Sequence, residues 1–388
     1  MTAIKPTPTP DSTDERAHSS LSALRLSVLA GGYVAERREQ VAIGAAPRVD
    51  VFEMERRLGA RLIGLEALRA PGARTRALKL LARLTGLRSF FLALRCLGTV
   101  RDDDAVYATG EDVGLPLAIL MRVFGVGRPR LVLRLEQPTY GRSWLRRAIF
   151  NYYLRRALPR IDRILCRTEA HVRYLNERFK VPLERLSFVP ETTDPGFYCP
   201  DGVPARADDW PQNSCIVSAG LELRDYETLI EAVRGLPVSV VIAAGSPWSH
   251  QRFAGDGRRP ANVTVASYTA VEMRELYRSA SLVVVPVLPT MRACGMNVVL
   301  EAWATGKGVI ASRTEGMSAY LDDGETALLA EPGDATDLRA KIVRLLNDPS
   351  EARRLGANGR ARVQDELHLD RYVVTVREEI ESVVAAGR

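Results

Sequence analysis

"ACGMNVVLEAWATGKGVIAS", residues 293–312, says more about the architecture than any other segment of the chain. It reads as a loop, an apolar helix, a tight glycine turn and a buried strand, and another strand, "SLVVVPV" (281–287), precedes it. Ligands of open parallel sheets bind at the carboxyl ends of strands, where helix N-termini offer free N–H groups to anions. Gly295 lets the backbone come close to a ligand there, and the amides that follow, at Met296 and Asn297, can cradle a phosphate. Glu301 is the only acid in the helix, about six residues in. Its carboxylate can accept hydrogen bonds from a ribose diol. A helix-packing turn with a merely solvated Glu301 accounts for the same spacing.

Outward from this unit, short apolar runs alternate with helical patterns. The strands of the first half are 24–32, 61–65, 104–110, 130–136, 163–168 and 186–190. Those of the second are 215–220, 238–245, 263–267, 281–287, 308–312 and 327–331, and three helices close the chain from about Asp334. Such alternation predicts βαβ units and parallel sheets with helices on both faces. Between the halves, 191–213 loses periodicity to proline, glycine and aspartate, as a linker does. The organisation expected is a disordered leader (1–20), a first α/β domain (21–195) and a second (196–369). The last helix (370–388) is free to pack back on the first domain.

A chain of 388 residues, 46% apolar and 26% charged, has room for two cores. Five cysteines without CxxC spacing argue against disulfides and zinc and fit a reducing cytoplasm. Four scattered histidines offer no metal cluster. No run is long and apolar enough to span a membrane. The net charge of +7 is concentrated: ten arginines face two acids between Arg128 and Arg163. Within it, "RSWLRRAIFNYYLRRALPR" (142–160) mixes arginine pairs with aromatics, suiting either contact with an anionic membrane or a packed core helix. No nucleic-acid-binding module accompanies the charge.

Arg224 follows strand 215–220 and opens the helix "DYETLIEA", so it should face the same cleft as Gly295. Its forked, permanent charge suits a diphosphate, although a surface arginine near a helix end reads the same way.

Six segments in order, among them "SAGLELRDYETLIEA", "CGMNVVLEAWATGKGVIAS" and "DGETALLAEPGDATDLRAKIVRLLNDP", resemble the donor domain of retaining family 4 glycosyltransferases, the glycosyl transferases group 1 of GT-B fold. The resemblance covers about residues 215–367, with a weaker match in "LAGGY" and "VPETTDPGF". It implies an α/β fold of two Rossmann-like domains facing each other across a cleft. It implies a nucleotide diphosphate sugar as donor, a hydroxyl acceptor (glycolipid, polysaccharide precursor or secondary metabolite), no cofactor and no metal requirement. On the matching positions, Glu301 binds ribose, Gly295, Met296, Asn297 and Arg224 hold the diphosphate, and Gly31 and Gly32 approach from the first domain. Nucleotide-sugar epimerisation and phosphorolysis on the same fold fit the histidine-poor motifs poorly.

Three positions depart from the family pattern. Ala293 stands where relatives often place a glutamate against the transferred sugar, Leu221 where an arginine is frequent, and Gly308 for a proline. Ala293 and Leu221 leave a catalytically degenerate nucleotide-binding or partner-binding protein as the alternative. With Ala293 beside Arg292, the expected donor sugar is acidic or deoxy rather than a neutral hexose, or selectivity is loose. On the acceptor side, the long loop 31–48, Glu111 and Asp112, and Tyr140 in "EQPTYG" (136–141) leave strands at their carboxyl ends. Charge complementarity at a helix N-terminus explains Glu111 and Asp112 equally. The protein is expected in the cytoplasm, with peripheral contact at the inner face of the membrane through 142–160.

Overall fold

The computed structural model describes residues 24–32, 34–69, 78, 80, 87–136, 144–198, 215–244 and 260–387. The segment read as a leader (1–20) and Tyr140 lie outside the described residues.

Two six-stranded parallel sheets carry the chain. The first contains β1 (Leu26–Leu29), β2 (Arg61–Ile63), β3 (Ala105–Ala108), β4 (Arg130–Leu135), β5 (Arg163–Cys166) and β6 (Leu186–Phe188), in the order β2-β1-β3-β4-β5-β6. The second contains β7 (Cys215–Ala219), β8 (Ser239–Ala243), β9 (Val263–Ala266), β10 (Leu282–Val285), β11 (Val309–Ser312) and β12 (Leu328–Ala330), in the order β12-β11-β10-β7-β8-β9. The direction of winding reverses between β1 and β3 in one sheet and between β7 and β10 in the other. At each reversal the flanking connections leave in opposite directions and open a crevice at the carboxyl edge.

The central strands are apolar throughout because helices cover both faces. Alternate residues go to opposite sides. Leu29, Val106, Leu131, Leu133 and Ile164 pack toward the helices Arg88–Cys96 and Glu111–Val123. Val28, Tyr107, Val132 and Leu165 pack toward Asp50–Leu58 and the closing helix Leu369–Ala385. That closing helix leaves the second domain and lies on the first sheet, burying Tyr372, Val373, Val376 and Ile380. The Tyr372 and Tyr107 hydroxyls, both buried, share a hydrogen bond of 2.7 Å.

Two readings of the sequence change here. Residues 31–48, expected as a loop, contain the helix Ala35–Ala42. None of its residues is buried, so good helix formers and an anchored end sustain it. The Glu66 carboxylate accepts from the Val34 and Ala35 N–H groups at 2.6 and 2.9 Å, satisfying donors at that N-terminus. The linker is ordered where it begins: Thr193 pairs with His368, and Pro195–Tyr198 is helical. Residues 199–213 of it lie outside the described residues.

The domains also meet away from these crossings. Thr168 Oγ1 donates to the Met291 carbonyl (3.0 Å), and Arg173 pairs with Glu315 (2.8 Å). The buried Tyr320 hydroxyl donates to the Arg167 carbonyl (2.5 Å) and accepts from Glu191 N–H (2.8 Å). One second-domain side chain thus serves two backbone groups on the other side of the joint. Tyr320→Phe keeps the ring and strands both groups. The expected cost is about 1–3 kcal/mol, read as a lower denaturant midpoint with an unchanged slope. An unchanged midpoint would mean that this hydroxyl does not hold the joint.

Candidate active site

The two carboxyl edges enclose a cleft of about 460 Å³. Gly31, Gly32 and Arg37 line it from the first domain, Asn297 and Glu301 from the second, and Glu191, Asp194 and Tyr198 from the linker side.

Glu301 sits in the sixth position of the helix Met296–Ala304, whose other late residues (Val299, Leu300, Ala302, Trp303) are buried. Half-buried, its carboxylate turns to the cleft and is held from behind. Tyr277 OH donates to Glu301 Oε2 at 2.8 Å, and Tyr198 makes a second side-chain hydrogen bond. Burial pushes the Glu301 carboxyl above the usual range, while Tyr277, Tyr198, Arg224 and Arg37 act against that rise. Burial and the neighbouring carboxylate push both phenols up as well, so they stay protonated and donate. The group is fixed in direction and retains acceptor capacity.

Gly295 is the N-cap of this helix, with φ of 97°. A Cβ there would lie 2.6 Å from Met317 Cε and 2.7 Å from Val285 Cγ1. The glycine is thus demanded by a left-handed turn pressed on the core, rather than by close approach of a ligand. The Met296 amide also departs from expectation, because it donates to the Ala293 carbonyl (3.1 Å) and closes the turn. Asn297 and Val298 occupy the next first-turn positions, whose amides point out of a helix N-terminus, and no side chain caps that end.

Arg224 lies across the second reversal. The chain at Leu223–Asp225 zips onto Pro286–Leu288, with Asp225 N–H on the Pro286 carbonyl (3.1 Å) and Leu288 N–H on that of Leu223 (2.9 Å). The guanidinium donates to the carbonyls of Ala219 (2.7 Å) and Glu222 (2.9 Å). Neutral acceptors pin it and leave its charge to act on the cleft, where it favours ionised Glu301. Ala293 is half-buried against the second-domain core. Arg292 beside it pairs with Glu222 at 2.8 Å, so its charge is already partly answered.

In the first domain, Gly31 rests on Asp112: a Cβ would fall 2.0 Å from Asp112 Oδ2. That oxygen also accepts from Ser89 Oγ (3.0 Å). Glu111 Oε2 accepts from Glu136 N–H (3.1 Å), and burial pushes its carboxyl up to about 7. Both acids are engaged locally, Asp112 beside the glycine turn and Glu111 at the end of β4.

Several cleft groups were not anticipated. Arg134 and Arg167, at the ends of β4 and β5, line the cleft with Arg48, Asp50 and Tyr372. Arg134 pairs with Asp50 (2.7 Å) and Glu136 (2.9 Å), and Arg167 with Glu136 (3.1 Å) and Glu191. Burial opposes ionisation of Glu136, yet Arg167 and Arg134 outweigh it and hold the carboxyl down to about 2. Arg134 inside the otherwise apolar run "LVLRL" (131–135) is the signal that the sequence carries for this network. Tyr198 and Tyr277 carried none. Among the described residues, no group of three or more His, Cys, Asp or Glu side chains could hold a metal ion.

An amide-rich helix end, a pinned arginine and an oriented carboxylate on one edge, opposed by a glycine turn and Arg37 on the other, can hold a polyol bearing an anionic tail. Residues 220–348 match the family model of the glycosyl transferases group 1. The lipopolysaccharide core biosynthesis glycosyltransferase LpsE of Rhizobium meliloti is 29% identical over 166 residues, 40% of this chain and 46% of that protein. An MMP alpha-(1->4)-mannosyltransferase of Mycolicibacterium hassiacum is 28% identical over 218 residues, 54% of this chain and 51% of that protein. The chain thus spans about half the length of these curated relatives. Anabaena Alr3699/HepE, solved in complex with UDP-glucose, superimposes with a TM-score of 0.69 at 16% identity over 93% of this chain and 99% of that one. Residues 220–348, about a third of the chain, are thus similar to the glycosyl transferases group 1, and the two facing parallel sheets have the GT-B fold.

Proposed function

We propose that the protein is a retaining glycosyltransferase, moving a sugar from a nucleotide diphosphate sugar to a hydroxyl acceptor. The observation that carries this reading is Glu301, a cleft carboxylate oriented by two buried tyrosines one helical turn and a half beyond an uncapped helix N-terminus. In this reading Glu301 accepts from the ribose hydroxyls. The amides of Asn297 and Val298, with Arg224, bind the diphosphate and stabilise it as it leaves. Gly31, Gly32 and Arg37 close on the donor from the first domain. Cations and amides neutralise the leaving group, so no metal is invoked. The UDP-glucose held by the Anabaena protein on the same fold, and the glycan-building relatives, support a nucleotide-sugar donor and a glycan or lipid-linked acceptor.

Glu301→Gln keeps the shape and removes a charge-assisted acceptor. Nucleoside diphosphate affinity should fall about tenfold to a hundredfold, matching roughly 1.5–3 kcal/mol, with little change in unfolding. Unchanged affinity by calorimetry would remove Glu301 from the ribose.

Arg224→Ala should weaken a nucleoside diphosphate far more than the bare nucleoside, and Arg224→Lys should recover only part of the loss. Equal losses on both ligands would assign Arg224 to folding alone.

Donor choice is tested at Ala293. A panel of labelled nucleotide sugars with a cell lipid extract should show that the wild type favours an acidic or deoxy sugar, or is broadly tolerant. Ala293→Glu should shift it toward neutral hexoses. A sharp wild-type preference for one neutral hexose, unmoved in the variant, would place selectivity elsewhere. Absence of both transfer and donor hydrolysis would favour a binding protein over an enzyme.

A further inference from the structure

The helix Trp144–Ala157 is apolar on two sides, and only one of them is covered. At 100° per residue, Phe150, Tyr153, Leu154 and Ala157 share the inner side. Leu154 and Ala157 are fully buried, and Phe150 and Tyr153 pack against the first-domain core. Trp144, Leu145, Ile149 and Tyr152 share the outer side, where Trp144 is 74% and Ile149 60% exposed. A helix serving only the core would carry polar residues there.

The same end of the domain adds a second apolar projection. At the end of the helix Glu111–Val123, Val123 is 71% and Phe124 60% exposed, flanked by the exposed Arg122 and Arg128. Arg122 Nη1 donates to the Arg156 carbonyl (3.1 Å), which brings this corner to the end of the outer face. Exposed Arg147 flanks that face, and Arg155 and Arg156 finish it. No acid occurs in 122–128 or 144–157.

We infer that this face is a docking surface for an anionic lipid bilayer. Aliphatic and aromatic side chains that project into solvent, ringed by arginines without acids, match the boundary between anionic headgroups and acyl chains. The charge selects this occupant. An apolar contact between two copies of the chain would oppose two arginine clusters, each repelling the other. No helix among the described residues is long and apolar enough to cross a bilayer, so the contact is peripheral. Eight residue steps separate Glu136, at the cleft edge, from Trp144, and an extended chain covers at most about 28 Å in that distance. Docking therefore brings the cleft within reach of a headgroup, which deepens the transferase reading by making the acceptor lipid-linked. That last step rests on the transferase reading, whereas the surface itself does not.

The test is vesicle flotation of the full chain with phosphatidylcholine alone and with phosphatidylglycerol mixed in, at low and high salt. The wild type should float with the anionic vesicles and fail with the neutral ones, and high salt should weaken its binding. Trp144→Ser with Ile149→Ser should lower anionic binding at least about tenfold. Arg147→Ser should lower it about fivefold, and only at low salt. Thermal melts and nucleotide titrations without vesicles should match the wild type for both variants, so failure of the donor reading would appear there and not in flotation. No flotation of the wild type, equal flotation with neutral vesicles, or no loss in the Trp144/Ile149 variant would each overturn the inference. So would a wild-type dimer that the same variant converts to monomer in sedimentation velocity, since a second copy would then cover the face.

Discussion

One guanidinium fastens both places where the chain crosses between the sheets. Arg48 Nη2 lies 2.9 Å from Asp194, on the outgoing linker, and Arg48 Nη1 lies 3.1 Å from Asp370, on the returning helix. The crossings themselves run side by side: Thr193 N–H donates to the Leu367 carbonyl (3.1 Å) and Leu369 N–H to that of Thr193 (2.8 Å). Asp194 is buried, so losing its partner would leave an uncompensated charge, a defect of about 3–5 kcal/mol. The Asp194 hydrogen bond and both carboxylates favour the charged form of Arg48 and push its pKa above the usual arginine range, against a smaller effect of burial. With both crossings tied to the start of the first domain, the two sheets present their carboxyl edges to each other. Every feature of the cleft follows from that opposition.

The floor of the cleft is ionic, where a rigid two-domain protein could have used a hydrophobic seam. Arg167 is answered by Glu136 on one side and by Glu191 on the other, and its own carbonyl takes the Tyr320 hydroxyl. Strand end, linker and second domain thus meet on one residue. Buried ion pairs add little net stability, because desolvation offsets most of the attraction. Their geometry is demanding, however, and a displaced joint leaves several charges unpaired at once. That makes the network a device for holding one domain arrangement. His171 belongs to the same joint: fully buried near Arg292 and Glu136, it is held down to about 4 by burial and by Arg292, and so stays neutral.

The strands were legible because a sheet covered on both faces leaves continuous apolar runs, and all twelve lie within runs visible in the sequence. Both reversals of winding follow from topology, which a single chain does not spell out. Glu301 could be read as an acid out of place in an apolar helix. Its tyrosines could not, since Tyr198 is 103 positions away on a linker and Tyr277 looks like any core aromatic on a neighbouring helix. Gly295 was legible as a special glycine, but the direction of its absent Cβ, toward Val285 and Met317, exists only in three dimensions. The Met296 amide illustrates the same limit, because a turn closing on Ala293 depends on how the loop folds. In 31–48 a charged helix without a buried face left no periodicity to find.

The position of Ala293 acquires a physical meaning from these contacts. The turn that begins at its carbonyl places the first free amides of the helix at Asn297, one step later than a simple glycine-loop reading would have it. The loop before it, Met291 and Arg292, is held by Thr168 and Glu222, one from each domain. A ligand that draws on the amides therefore pulls on a segment already tied across the joint. Ligand contacts at the helix end and the joint between the domains share one short stretch of chain, within which no acidic side chain stands. A carboxylate here would be desolvated by a bound ligand and would need a partner from it. On the proposed transferase reading, alanine lifts that requirement, so sugars that offer no such partner could bind, and discrimination would fall to the groups opposite, in the first domain.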